Sequence, residues 1–198
     1  MMNAPVVIAL HYQNDVLHPD GKIRVGLGSE DSVRAALLDA AGRLLAGARA
    51  KGWPIVHVRV AFRPDYADLI QNAPILRTVA TLGAVREGSW GAEFFSALAP
   101  LDSRTEFVVT HNRINAFYGS PLETVVRQFN PSHLLIAGVA THSVVESTVR
   151  HAVDCGFEVT VAADACASAD SGAHVASLAS MALIARISHV KEALEDLA

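Results

Sequence analysis

Continuous apolar runs alternate along the chain with segments in which apolar residues recur at helical spacing. Residues 5–10 (PVVIAL) read as a central parallel strand and 134–136 (LLI) as a buried one, with 55–60 (IVHVRV), 106–110, 157–162 (FEVTVA) and 185–188 as further strands. Between the first two, Val33, Ala36, Leu37, Ala40, Leu44, Leu45 and Ala48 form one apolar stripe, which predicts a long amphipathic helix capped by Ser29, with acidic Glu30 and Asp31 in its first turn. Gly52 and Pro54 stop it. Pro64, Pro74, Gly83 and Gly88 break up 61–91, which reads as a long loop with a few helical turns and hence as a lid or an interface segment. A short helix is expected over 91–98, another from Ser120 or Gly119 to Phe129 with Pro121 in its first turn, and a last long one over 170–185. After the run at 134–136 the chain turns at Gly138, and Val144, Val145, Thr148 and Ala152 then recur at helical spacing with Thr141 as the expected N-cap.

This alternation predicts an α/β fold: a three-layer, Rossmann-like, mostly parallel sheet of about five to six strands flanked by helices, one domain over 1–198. The cleft of such a fold lies at the carboxyl ends of the strands. There the chain places His11 after the first strand, His111 after the third, and His142, Ser143 and Val144 after the fourth, at a helix start whose dipole favours negative charge.

Composition narrows the classes. With 198 residues, 51% hydrophobic and 18% charged, the chain can bury a core without metal or disulfide staples, and it is not a disordered scaffold. A net charge of −4 with scattered Lys and Arg offers no basic stripe for nucleic acid. No run is long enough to cross a membrane, and the start MMNAPVVIAL lacks a basic signal-peptide region, so a cytoplasmic location is expected. Cys155 and Cys166 fall outside any CxxC pattern and read as buried or half-buried free thiols.

Four patches carry a resemblance that covers nearly the whole chain: HYQNDVLHPDG (11–21), VRVAFRPDY (58–66), RINAFYGSPLE (113–123) and, most specific, GVATHSVVESTVRHAVDCGFEVTVAADACAS (138–168). They resemble the isochorismatase-like hydrolase superfamily, which includes nicotinamidases and carbamoyl-amide hydrolases. The resemblance implies a triad of Asp, Lys and Cys, and here those three positions hold His11, His111 and Val144. Val144 has no nucleophilic atom, so the family's activated thiolate is not carried over. The resemblance also implies that the backbone at Val139 and Ala140 supplies an oxyanion hole, commonly around a cis peptide. His174 matches a position that the family often fills with His.

Two functions follow as expectations. The first is a hydrolase for a small cyclic, amide or enol-ether substrate, with His11 and His111 as an acid/base pair that titrates near neutrality. The second is a catalytically inactive family member that binds a small molecule or a protein. Phe62, Trp90, Phe117 and Tyr118 are candidate walls of the substrate pocket, with His142, Ser143 and Val144 at its floor; the aromatic residues could equally pack the core or a subunit interface. Ser143 as nucleophile lacks a GxSxG turn, and a zinc ion on His11, His111 and His142 lacks any support beyond topology, so neither a metal nor another cofactor is expected. His57 reads as a structural residue inside a strand, and His18, His133, His151, His174 and His189 as surface or structural. The apolar stretch LIQNAPIL within 61–91, with family habit, suggests a homodimer or homotetramer.

Overall fold

A computed structural model describes residues 4–24, 26–27 and 31–197. Six strands form one parallel sheet in the order β3-β2-β1-β4-β5-β6: β1 (Val6–Leu10), β2 (Ile55–Val60), β3 (Glu106–His111), β4 (Leu134–Val139), β5 (Val159–Ala167) and β6 (Arg186–Ser188). Every residue of β1 and β4 is buried, as the unbroken apolar runs require of central strands covered on both faces. The strand order reverses between β1 and β4, and in open α/β sheets that switch point opens a crevice at the strands' carboxyl ends.

The connections are α1 (Asn14–Leu17), α2 (Asp31–Ala50), α3 (Pro74–Leu82), α4 (Leu122–Arg127), α5 (Glu146–Asp154), α6 (Ser171–Met181) and α7 (Val190–Asp196). In α2, Leu37, Ala40, Ala41, Leu44, Leu45 and Ala48 are buried, whereas Val33 and Ala36 are exposed, so the expected stripe begins one turn too early. The expected cap Ser29 and the expected first-turn acid Glu30 lie outside the described residues. Within 61–91, Pro74 and Gly83 bound a real helix instead of breaking one: Pro74 occupies its first turn, and Gly83, at φ 61°, is its left-handed C-cap. Leu69, Leu76 and Val79 of that segment pack with Phe62 and Val85 in a second apolar cluster of the chain itself. The apolar stretch is therefore largely used within the subunit, although Ile70 is left 63% exposed. The helix expected over 91–98 is two 3₁₀ turns, Trp90–Ala92 and Ser96–Leu98.

The polar loop after β1 ties the crevice together. Gln13 donates to the carbonyls of Val60 and Ala92, both at 2.9 Å, and accepts from the Val60 amide at 2.8 Å, which satisfies a fully buried amide. Asn14 donates to the Trp90 carbonyl, and the Asp15 carboxylate accepts from the amides of Lys22 and Val85. Three adjacent polar side chains thus hold the end of β2 and the 84–93 segment in place through backbone groups.

Gly91 is part of that clamp, because a Cβ there would lie 2.1 Å from the Asp15 carboxylate. Gly91→Ala should cost about 1–3 kcal/mol. Gly42→Ala, in mid-α2 with nothing within 4 Å of its Cβ, should instead gain about 0.5–1 kcal/mol. Thermal melts of the two variants check this: opposite shifts in Tm are expected, and a Gly91→Ala protein melting at or above the parent would show that the clamp can yield.

Candidate active site

The crevice is built from the exits of β1, β3 and β4. His11 leaves β1 with φ at 57° and its amide bonded to the Val58 carbonyl, which turns its ring across the end of β2. His111 is the last residue of β3. Their Nε2 atoms lie 2.5 Å apart and the rings stack at 4.9 Å between centroids. Both residues are buried. At that separation one ring must present a lone pair and the other an N–H, because two N–H groups would clash.

Burial sets the charge of this pair. It holds the pKa of His11 well below the ordinary value, with the neighbouring His111 adding to the effect and a hydrogen bond to the Val139 backbone opposing it. Burial likewise brings His111 down to about 4; the Asn115 backbone opposes that shift, but its geometry falls short of a full hydrogen bond, and Nδ1 of His111 is left without a partner. At neutral pH the pair is therefore uncharged, two imidazoles with one proton between their Nε2 atoms. A donor–acceptor couple of this kind can give a proton at one nitrogen and receive one at another.

Beside His11 lies a cavity of about 70 Å³. Eleven of the fourteen described residues that line it are apolar, among them Phe62, Val139, Ala140, Val144 and, from α3, Ile75, Leu76 and Val79. The remaining three are His11, Ser143 and Arg113. The space admits a small, mainly apolar group. Ile75, Ile114 and Ser143 also border an open polar groove with His142, Glu146, Ser147 and Arg150, so the apolar cavity continues into a polar cleft.

β4 ends in a cis peptide between Val139 and Ala140, and the chain then enters a π-helical turn, Thr141–Val145, before α5. Thr141 is not the cap: its hydroxyl bonds to Nδ1 of His174 at 2.9 Å, and no side chain caps this turn. His142 is turned toward the hydroxyl of Ser168, 2.7 Å from its Nδ1. No thiol lines the cavity. Cys166 lies inside β5 rather than beyond it, and burial pushes its thiol up to about 12, while Cys155 is half-buried at the far end of α5.

These features can be set beside known proteins. Residues 5–192 match the isochorismatase domain. The chain belongs to the isochorismatase family. It is 33% identical over 162 residues to the isochorismatase family protein YecD of Escherichia coli O157:H7, covering 81% of this chain and 83% of that one. The ureidoacrylate amidohydrolase RutB of Methylorubrum extorquens is 26% identical over 175 residues, covering 82% of this chain and 69% of RutB. Among solved structures, an isochorismatase family protein from Desulfovibrio vulgaris superposes with a TM-score of 0.84 at 26% identity, over 98% of both chains.

The expected site residues divide accordingly. His11, Phe62, Val139, Ala140, Ser143 and Val144 share the cavity, and His111 reaches it through His11. Trp90, Phe117, Tyr118 and His142 do not line it. Trp90 is 47% exposed and edge-on to His18, Tyr118 is 66% exposed, and Phe117 stacks on His151. Aliphatic residues of α3 take the place expected for those aromatic rings, and Arg113, not expected at all, supplies the cavity's cation. His11, His111 and His142 do not form a three-ligand metal cluster; among the described residues the one such group is Glu123, His151 and Cys155. His57 is fully buried against Glu106, 2.8 Å from its carboxylate, as a structural residue would be.

The lowered pKa values give stability a sign. Unfolded histidines take up protons below about 6.5, which folded His11 and His111 refuse. Stability should therefore be complete above that pH and fall as the pH drops toward about 4, by about 1.4 kcal/mol per histidine per pH unit. His57, His133 and His174 shift in the same direction, whereas the contribution of Glu106, lowered to about 2, is lost only as the pH falls from the usual carboxylate range toward that value. Urea melts between pH 7 and 5 check this. The parent should lose stability steeply and the double variant His11→Gln/His111→Gln less steeply; equal slopes would mean that the pair is not held neutral.

Proposed function

We propose that this chain is a hydrolase of a small amide, cyclic or enol-ether substrate that works through the His11–His111 pair in place of a thiolate. The observation that carries the reading is the 2.5 Å contact between the two Nε2 atoms beside the cavity. In the family pattern the triad Asp, Lys and Cys falls on His11, His111 and Val144, and Val144 offers the cavity only methyl groups. Cys166, with its thiol near 12, does not supply a thiolate either. The amidohydrolase named among the relatives supports an amide-type substrate.

In this mechanism the small reacting group enters the apolar cavity and the rest of the substrate lies in the polar groove. As one imidazole takes a proton from the attacking water at its outer nitrogen, the proton between the two Nε2 atoms crosses to the other ring, and that ring releases its own outer proton to the leaving atom or to the vinyl carbon of an enol ether. Both rings are neutral before and after, and the pair ends with as many protons as it began with. In this reading the backbone at Val139 and Ala140, which lines the cavity, stabilises a developing oxyanion, and Arg113 holds an anionic end of the substrate. Neutral imidazoles suit this division, since an imidazolium pair could donate but not accept. A homodimer or homotetramer in the cytoplasm remains part of the proposal, and exposed Ile70, Val175 and Leu183 are its candidate contacts.

Val144 favours a second reading, in which the same cavity binds a small molecule without turning it over. A panel of ureido acids, primary amides and vinyl ethers separates the two. Under the first reading the parent turns over at least one class, and His11→Gln and His111→Gln each lower kcat/KM by about 10²-fold or more, while Val144→Ala leaves it within a few-fold. Turnover that survives both histidine changes would overturn the acid/base role. No turnover, together with a panel compound retained by the protein in native mass spectrometry, would establish the second reading.

A further inference from the structure

On the outer layer of the fold, clear of the cavity, three side chains of metal-binding type meet: Glu123 from α4, His151 from α5, and Cys155 at the C-cap of α5. One ligand atom from each lies within 4.8 Å of the other two, and all three residues are half-buried. His151 and Cys155 are four residues apart and so share a face at the helix end. The stack of His151 on Phe117, 5.0 Å between centroids and 9° from parallel, fixes the plane of the imidazole. Arg127 bridges the two helices, donating through Nε to Oε1 of Glu123 at 2.8 Å and through Nη2 to the Cys155 carbonyl at 3.2 Å.

We propose that Glu123, His151 and Cys155 form a binding site for a zinc-type divalent cation. A thiol, an imidazole and a carboxylate together suit a borderline-soft ion better than Mg²⁺ or Ca²⁺, and three protein ligands leave a fourth position for water. Bonds of about 2.0–2.3 Å would bring the ligand atoms to about 3.3–3.6 Å apart, so the present separations, none above 4.8 Å, close by at most about 1.5 Å. Small side-chain torsions supply that movement. Arg127 engages Oε1 and leaves Oε2 of Glu123 for the metal, the arrangement in which an outer partner orients a ligating carboxylate. The Cys155 thiol is raised by burial and by the Glu123 charge, so it is protonated before the ion arrives. On binding, the S–H bond breaks, an S–Zn bond forms and the proton leaves to solvent, so affinity rises with pH. The ion would join α4 to α5 and stabilise the fold without touching the His11–His111 pair.

The tag-free full chain, titrated with Zn²⁺ in competition with a chromophoric chelator, gives the stoichiometry. Iodoacetamide labelling of Cys155, read by mass spectrometry with buried Cys166 as internal reference, locates the ion, and Co²⁺ substitution reports thiolate ligation by its near-ultraviolet absorption. The proposal expects one equivalent bound, one proton released, a raised Tm, slower alkylation of Cys155 and a Co²⁺–thiolate band. His151→Ala and Glu123→Gln should each weaken binding at least about tenfold, the loss that even outer-sphere partners of a metal cause, and Cys155→Ser should abolish the band. Absence of the band in the parent, unprotected Cys155 at saturating Zn²⁺, or undiminished affinity in His151→Ala would overturn it.

Discussion

Two imidazole nitrogens 2.5 Å apart can hold one proton between them but not two, and in this fold that contact sits on buried strand ends where a second proton would bring an unpaired charge. The surroundings of the crevice are consistent with the constraint. Its cavity wall is mainly aliphatic, no carboxylate of the described residues lines it, and its guanidinium, Arg113, is turned in part toward the 70–72 segment, where it bonds to the Ile70 carbonyl and to Asn72. A neutral pair in such a place gains from the low dielectric that would penalise a charged one.

Holding the pair together is the task of the loop that follows β1. His11 lies on one side of β2 and His111 on the other, so their rings meet only if the carboxyl end of β2 is fixed. Gln13 fixes it by two hydrogen bonds to the Val60 backbone, and a third from Gln13 to the Ala92 carbonyl, with the bonds of Asn14 and Asp15, extends the hold to the segment that carries Trp90 and Val85. The polar residues nearest the pair thus position backbone, while α3 closes the cavity with Ile75, Leu76 and Val79. The clamp and α3 meet at the second apolar cluster, where Val85 packs with Leu76 and Val79.

How much of this was legible in the sequence depended on the physical signal. β1 and β4 were readable because strands covered on both faces must be apolar throughout, and β2 because only His57 and Arg59 interrupt its apolar run. α3 was not, because Pro74 and Gly83 have the same composition whether they interrupt a helix or bound it, and only its packing against Phe62 and Val85 decides. The nearness of His11 to His111 followed from strand topology and from the family resemblance. Which side chains wall the cavity did not follow, because residue type at a loop says nothing of direction: Trp90 and Tyr118 face solvent, Phe117 turns to His151, and aliphatic residues of a helix hidden in the sequence take their place. Thr141 had the composition of a cap, but its hydroxyl found His174 on a neighbouring helix, a partner that no local pattern could reveal.

The central claim, one proton shared by a neutral pair, is open to direct observation by ¹⁵N NMR of the imidazole side chains through a pH titration. The structure requires that at pH 7 the Nε2 atoms of His11 and His111 divide one proton, one nitrogen with the shift of a bare lone pair and the other protonated, or both averaged between these by exchange. It also requires that neither ring become imidazolium until the pH is well below 6.5. Two rings that titrate independently near their ordinary value, or an imidazolium signal from either at pH 7, would contradict it.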